Sequence, residues 1–309
     1  MYAIAIHGGA GQLNPENYTK EQIREHRQAL REALNTGLDK LKNGLSAREA
    51  AIASVCVLED NPLFNSGRGS VLNAEGEVEM DAAVMCGATL QAGGVSGLKS
   101  IRHPILGASE IAMRTPHRLL AGAKAEEFLI AQGLETAPKE FFITERRQEQ
   151  YQAFLKDRKM RLEHDSRYST VGAVALDSSG NLAAATSTGG IIGKMPGRVS
   201  DSAIIGAGTY ADNKTCAISA TGMGDEFIRH SAAFQIHARI LWMKQDLIPA
   251  VEDTLETIAS TGGNGGIILI DKEGRCQMRF NSGGLYRAFA NSKGILEIGM
   301  FRDDCALSF

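Results

Sequence analysis

Apolar positions at Ile23, Leu30, Leu34, Leu38 and Leu41 fall on one helical stripe and predict a helix over Thr19 to Lys42. Thr19 and Gln22 fit a capping box at its start, and Gly44 ends it. Ser46 and Glu49 form a second capping box. The helix they open runs to about Leu58, is apolar nearly all round and should be buried, and Asn61-Pro62 stops it. Before these helices, Met1 to Ile6 reads as a short strand running into a glycine turn, His7-Gly8-Gly9-Ala10-Gly11. After them come an irregular loop, Asn61 to Ser70, and a turn at Asn73 to Gly76 between short strands, the second reaching Met80-Asp81-Ala82. Gln91 to Leu98 is glycine-rich. Helices open at Pro104 and span Ala123 to Gln132.

From Thr144 to Ser169 the stripe is poor and charge is high, which predicts a surface helix, a linker, or both in turn. A hairpin follows, Thr170 to Asp177 and Asn181 to Thr186, with small residues alternating along it. Gly206 to Gly208 is a turn, and Cys216 to Ala220 a strand. Asp225 and Glu226 open a long helix through Trp242, and a second helix runs from Pro249 to Ser260. A last hairpin pairs Ile267–Asp271 with Cys276–Phe280. Strands and helices cluster instead of alternating, so the expectation is an α+β layered protein and not a Rossmann sheet or a TIM barrel.

Length and charge narrow the function. The 309 residues allow one large domain or two ordinary ones. A net charge of −3, with basic residues in mixed-sign helices, disfavours nucleic acid. Five scattered cysteines without a C-x-x-C pair fit buried thiols in a reducing compartment. The first residues lack a basic n-region and no apolar run approaches spanning length, so the expectation is a soluble, cytoplasmic protein.

Metal and serine-hydrolase readings find no support in the linear sequence. The histidines show no H-E-x-x-H and no zinc spacing with cysteine, although His230 and His237 would share a helix face. Gly94-Val95-Ser96-Gly97-Leu98 misses the last glycine of G-x-S-x-G, and His7 to Gly11 does not meet G-x-G-x-x-G. Three threonine segments remain. Thr170 stands where the charged stretch meets an apolar strand: either it merely opens that strand, or the chain is cut before it and it becomes an N-terminal nucleophile. Thr188, at the end of the same hairpin, could return beside it. Thr221-Gly222-Met223-Gly224 lies at a strand-to-helix junction, where N–H groups could hold an oxyanion. Between these, Arg198 suits a carboxylate and Asp201 an ammonium, which together would read an α-amino-acid head group.

His7-Gly8-Gly9-Ala10-Gly11, Asn65-Ser66-Gly67-Arg68-Gly69, Met80-Asp81-Ala82, Thr170 to Asp177, Ala185-Thr186-Ser187-Thr188-Gly189-Gly190, Pro196-Gly197-Arg198-Val199 and Thr221 to Asp225 resemble, in order and spacing, the isoaspartyl peptidase/plant-type L-asparaginase family of N-terminal-nucleophile hydrolases. The resemblance runs from the first strand to the last hairpin. It implies an αββα sandwich over residues 1–309, autocleaved into 1–169 and 170–309, and an (αβ)₂ homodimer. It implies hydrolysis of L-asparagine and β-aspartyl dipeptides through a threonine ester. Thr170 would be the nucleophile, freed from Ser169, and its new α-amine the base. Thr188 would orient it, and Thr221 and Gly222 would form the oxyanion hole. Arg198, Asp201 and the Gly224 carbonyl would hold the head group, and Asn65 would assist near the scissile bond. Backbone carbonyls of Leu58, Glu59, Asn61, Phe64, Ser66 and Arg68 would hold a structural sodium. No catalytic cofactor is implied.

Two positions depart from the family. Ser169 replaces the usual Gly before the nucleophile, which should slow self-cleavage, and Ser200 replaces the Gly between Arg198 and Asp201, which should narrow the pocket. Two rival readings follow. One is a glycosylasparaginase-type hydrolase, disfavoured by the lack of a signal peptide. The other is an uncleaved amino-acid-binding protein on the same fold.

Overall fold

The computed structural model describes residues 1–156 and 170–304. In chain order the elements begin β1 (Ala3–Gly11), α1 (Lys20–Lys42), α2 (Ala47–Asp60), β2 (Met80–Cys86), β3 (Ala92–Leu98), α3 (Pro104–Arg114), β4 (Leu119–Ala121), α4 (Gly122–Ala131), α5 (Lys139–Phe142) and α6 (Glu145–Lys156). After Thr170 come β5 (Val171–Leu176), β6 (Leu182–Thr188), β7 (Thr209–Ala211), β8 (Cys216–Gly222), α7 (Gly224–Arg229), α8 (Ala232–Leu241), α9 (Leu247–Ser260), β9 (Gly265–Asp271), β10 (Cys276–Phe280), β11 (Gly284–Asn291) and β12 (Leu296–Phe301). Among the described residues, no helix is long and apolar enough to cross a membrane.

Two sheets form the middle of the molecule. One has eight strands in the order β12-β11-β1-β5-β6-β2-β3-β4, and the other four in the order β10-β9-β8-β7. The two-residue period of a strand assigns its side chains to opposite layers. On β5, Val171, Ala173 and Ala175 join the core under α1, α2 and α3, whereas Val174 and Leu176 face the second sheet. On β8, Ala217 faces the first sheet while Ile218 and Ala220 pack beneath α8 and α9. Three apolar cores thus separate four layers, an αββα sandwich of α+β class.

Both capping boxes form, Thr19 with Gln22 and Ser46 with Glu49, and the apolar stripe of α1 is buried at Leu30, Leu34, Leu38 and Leu41, with Ile23 half-buried at its start. Several elements differ from the sequence reading. The His7–Gly11 turn is strand: β1 continues through it with a bulge between His7 and Gly9, and Gly9 takes φ of 115°. β8 likewise runs through Gly222. The turn at Asn73–Gly76 leads to β2, but among the described residues no strand lies between α2 and this turn. The long helix to Trp242 is two helices, broken at Ser231 in the left-handed region, φ 47° and ψ 49°. The break lets Ala233 and Phe234 donate their N–H groups to Ala207 and Gly206, so α8 starts afresh on the Gly206–Gly208 turn. His230 and His237 therefore do not share a helix. The Cys276–Phe280 strand is not the last: β11 and β12 extend the large sheet. Of the charged stretch, Glu145 to Lys156 is helix, and its end, with Ser169, lies outside the described residues.

Candidate active site

β5 and β6 pair from Leu176↔Leu182 to Val171↔Ser187, so the next pair at the open end is Thr170 with Thr188. The Thr170 hydroxyl donates to Thr188 Oγ1 at 3.1 Å, and Thr188 Oγ1 also accepts the Gly190 N–H at 3.0 Å. The nucleophile candidate thus gains a fixed orientation from ordinary hairpin register. Gly172, two residues on, has no room for a β-carbon, because Ser219 and the His7 ring occupy that space.

His7 is the residue whose part the sequence did not disclose. It is fully buried, and Nδ1 lies 2.8 Å from the Thr170 carbonyl while Nε2 lies 2.8 Å from Ser219 Oγ. A carbonyl only accepts, so Nδ1 carries the proton and Nε2 accepts from Ser219. Ser219 Oγ is 2.7 Å from Thr186 Oγ1, which accepts from Thr209 Oγ1 at 2.7 Å. The groups form one head-to-tail chain between the sheets, in which each bond polarises the next. Burial drives the His7 pKa down to about 3, against the opposing Thr170 carbonyl bond. His7 is therefore a neutral donor that holds the backbone of Thr170, not a base.

The head-group residues lie in a segment clamped by two buried acids. Asp81 accepts the Ser200 N–H at 2.7 Å on one oxygen, and Ser96 Oγ and the Gly97 N–H on the other. Glu79 accepts the Gly197 N–H and the Asn73 amide, and its carbonyl takes Lys194 Nζ at 2.6 Å. Arg198 and Asp201 are thereby fixed on the wall of a small cleft that Thr170, Thr188, Gly190, Gly222 and Gly224 also line. A larger cleft, lined by Glu79, Ser96, Lys99 and Glu126, meets the flanking Gly197 and Val199 but holds none of the three threonines.

Asp201 is buried and wedged between Gly208 and Gly224, where β-carbons would meet its oxygens. Among the described residues, its Oδ2 has no hydrogen-bond partner. Burial pushes its carboxyl up to about 7, the Arg198 guanidinium opposing. Oδ2 packs against Gly208, and Oδ1 lies on the side of Gly224, which lines the cleft. The unfolded chain releases this proton near 3.8, the folded one near 7. Between those values the folded state holds the extra proton, so stability falls as pH rises and the penalty is complete above about 7. Asp201→Asn should accordingly stabilise the ligand-free protein at pH 8, by on the order of a few kcal/mol, and the gain should shrink toward pH 5. Urea unfolding at the two pH values checks this; an equal gain at both would reject the cause given.

Arg198 meets a different partner. Its Nη2 is 2.7 Å and its Nε 3.4 Å from the carboxylate of Asp225, which is 65% exposed against 13% for the arginine. Gly222 borders the cleft with φ of 143°, packed so closely on Asn264 and Gly265 that a β-carbon would collide. Thr221, fully buried, accepts the Ala10 N–H on Oγ1 at 3.3 Å, which leaves its own proton to donate. The Met223 N–H is spent on the Asn264 carbonyl.

Asn65 supports the cleft from behind. Its Nδ2 donates to the Gly190 carbonyl at 2.6 Å, its Oδ1 accepts the Val71 N–H at 2.8 Å, and its carbonyl accepts the Gly189 N–H at 3.0 Å. The Leu58–Arg68 loop is curled by Gly67 at φ 51° and Gly69 at φ 99°, with the Phe64 carbonyl packed close on Gly69. Carbonyls of Leu58, Glu59 and Asn61 each accept a backbone N–H from within the loop. His230 and His237 lie elsewhere, on Thr261 and Thr215.

The sequence profile of the asparaginase family (Asparaginase_2) matches residues 1–300. An isoaspartyl peptidase of Salmonella typhimurium is 42% identical over 308 residues, covering 97% of this chain and 98% of its own. An isoaspartyl peptidase/L-asparaginase of Danio rerio is 37% identical over 305 residues, covering 97% and 96%. A putative isoaspartyl peptidase/L-asparaginase of Dictyostelium discoideum is 38% identical over 320 residues, covering 93% and 92%.

Proposed function

Since the chain belongs to the asparaginase family, we propose that it is an amidohydrolase that releases L-aspartate from L-asparagine and from β-aspartyl dipeptides. One observation carries this reading: Thr170, Arg198 and Asp201 border the same small cleft. Arg198 would take the substrate α-carboxylate, and Asp201 with the Gly224 carbonyl the α-ammonium. These anchors fix the α-carbon, so the side-chain carbonyl is the one presented to Thr170 Oγ1. Attack forms a β-aspartyl ester and expels ammonia or an amino acid, and water then frees aspartate. The base is the α-amine of Thr170, exposed by cleavage of the Ser169–Thr170 bond. Its pKa of roughly 7.7–8 suits proton exchange near neutral pH. Thr221 and Gly222 would stabilise the oxyanion, and Asn65 would hold the Gly189–Gly190 corner. Ammonia and aspartate release from asparagine and β-aspartyl-leucine tests the proposal; a fully cleaved sample that releases neither would sink it.

Asp225 bears on affinity. It already presents a carboxylate to Arg198, and the substrate has to share or displace it. With Asp225 largely in solvent, the pair is worth on the order of 1 kcal/mol. Asp225→Asn should therefore lower KM for asparagine about threefold and leave kcat unchanged. A raised KM in steady-state assays would instead make Asp225 a support for Arg198.

The Leu58–Arg68 loop would hold sodium through carbonyls of Leu58, Glu59, Asn61, Phe64, Ser66 and Arg68. The donor type fits, since neutral carbonyls can replace the hydration shell of a monovalent ion and each keeps a second lone pair. The ion would brace the loop behind Asn65. A homodimer of cleaved units, on the family pattern, is the assembly we propose. A reducing cytoplasm is the setting, supported by the free thiols of Cys56, Cys86, Cys216 and Cys276.

A further inference from the structure

We propose that Cys56, Glu59 and His103 form a binding site for one divalent ion of the zinc class, apart from the catalytic cleft. Cys56 and Glu59 stand three residues apart on one face of α2, and His103 immediately precedes α3. The thiol sulfur, a carboxylate oxygen and an imidazole nitrogen all lie within 4.8 Å of one another. His103 Nδ1 is 3.2 Å from Glu59 Oε2. That is close to the spacing of two ligands on a tetrahedral ion with bonds of roughly 2.0–2.1 Å. A metal ion would replace the proton that now links them.

The donor set selects the ion. Thiolate, imidazole and carboxylate together suit zinc or cobalt and not magnesium or calcium. One thiolate and one carboxylate balance a divalent charge, and the imidazole binds neutral. Three protein ligands leave a fourth position for water. Cys56 and His103 are only partly buried, so an ion can enter, while Glu59 is fully enclosed.

The surroundings already orient the ligands. Glu59 Oε1 accepts Ser187 Oγ at 2.6 Å and the Ile105 N–H at 3.0 Å, which turns Oε2 toward His103. His103 Nε2 faces Asp60 Oδ2 at 3.6 Å, and Arg102 Nε holds Asp60 at 3.2 Å. A carboxylate behind the second imidazole nitrogen is what fixes the tautomer of a ligating histidine. The ion would tie α2 to α3 and, through Ser187, to β6 beside Thr188. Its role would be to brace these elements. No linear motif announces it, because His103 is far from Cys56 in sequence.

The test uses the full chain carrying Cys86→Ser and Cys305→Ser, so that Cys56 is the one remaining thiol besides the buried Cys216 and Cys276. Titration with Co²⁺ should give one ion per chain and a thiolate-to-cobalt charge-transfer band. Zn²⁺ should displace the cobalt and raise the melting temperature. Cys56→Ser should abolish both the band and the rise. Asp60→Asn should weaken binding by about 10–100-fold while leaving the band. Should Cys56→Ser fail to fold, His103→Asn gives the same reading. Absence of stoichiometric cobalt uptake, cobalt bound without the band, or a band that survives Cys56→Ser would overturn the proposal in favour of a simple His103–Glu59 ion pair.

Discussion

Replacing Thr170 with alanine should leave a single uncut chain of 33.1 kDa and reduce asparagine hydrolysis roughly 10⁴-fold or more. Both losses follow from one atom. Oγ1 is the nucleophile in the proposed attack on the Ser169–Thr170 peptide and again in the attack on substrate. Without the first attack, no α-amine appears to serve as base. The fold should survive, because β5 keeps its pairing with β1 and β6 and only the Thr188 bond is lost. Thr170→Ser, which keeps the hydroxyl, should still cut itself. Two bands from the alanine variant on a denaturing gel, or retained turnover, would refute the nucleophile assignment.

Thr221→Ala should lower kcat by about 10²–10³ with little change in KM, since an oxyanion donor acts chiefly on the transition state. The Ala10 N–H orients this hydroxyl and would lose its acceptor, so a stability loss of roughly 1–3 kcal/mol should accompany the kinetic one. Thr221→Ser separates the two effects by keeping the hydroxyl and should restore most of the rate. A KM effect with kcat intact, measured on cleaved protein, would move Thr221 from oxyanion donor to substrate binding.

Much of the site was legible because hairpin register is local. The hairpin of β5 and β6, turned by Ser178-Ser179-Gly180, already allowed Thr188 to return beside Thr170, and the observed register places it there. The capping boxes of α1 and α2 were legible for the same reason. What stayed hidden depends on partners distant in sequence. The glycines of His7–Gly11 read as a turn, yet β11 and β5 pair with this segment and turn it into strand. His7 matched no catalytic spacing because its work is on a backbone carbonyl across the sheet, 163 residues away. Asp81 was visible only as part of a motif, and its grip on the Ser200 N–H needs the fold. β11 carries Arg287 at its centre, a poor strand signal, and that guanidinium is buried by bonding carbonyls of Leu285, Phe301 and Asp304. The break at Ser231 has no glycine or proline to announce it; it arises where α8 docks on a turn.

Intact-mass measurement of the purified wild-type chain, with N-terminal sequencing of any fragment and an asparagine assay on the same sample, tests the nucleophile assignment most directly. The expected result is two species that together account for 33.1 kDa, the second beginning at Thr170, with activity rising as the cut accumulates. Ser169 should make that accumulation slow. An undivided 33.1 kDa chain that hydrolyses asparagine at full rate would contradict it.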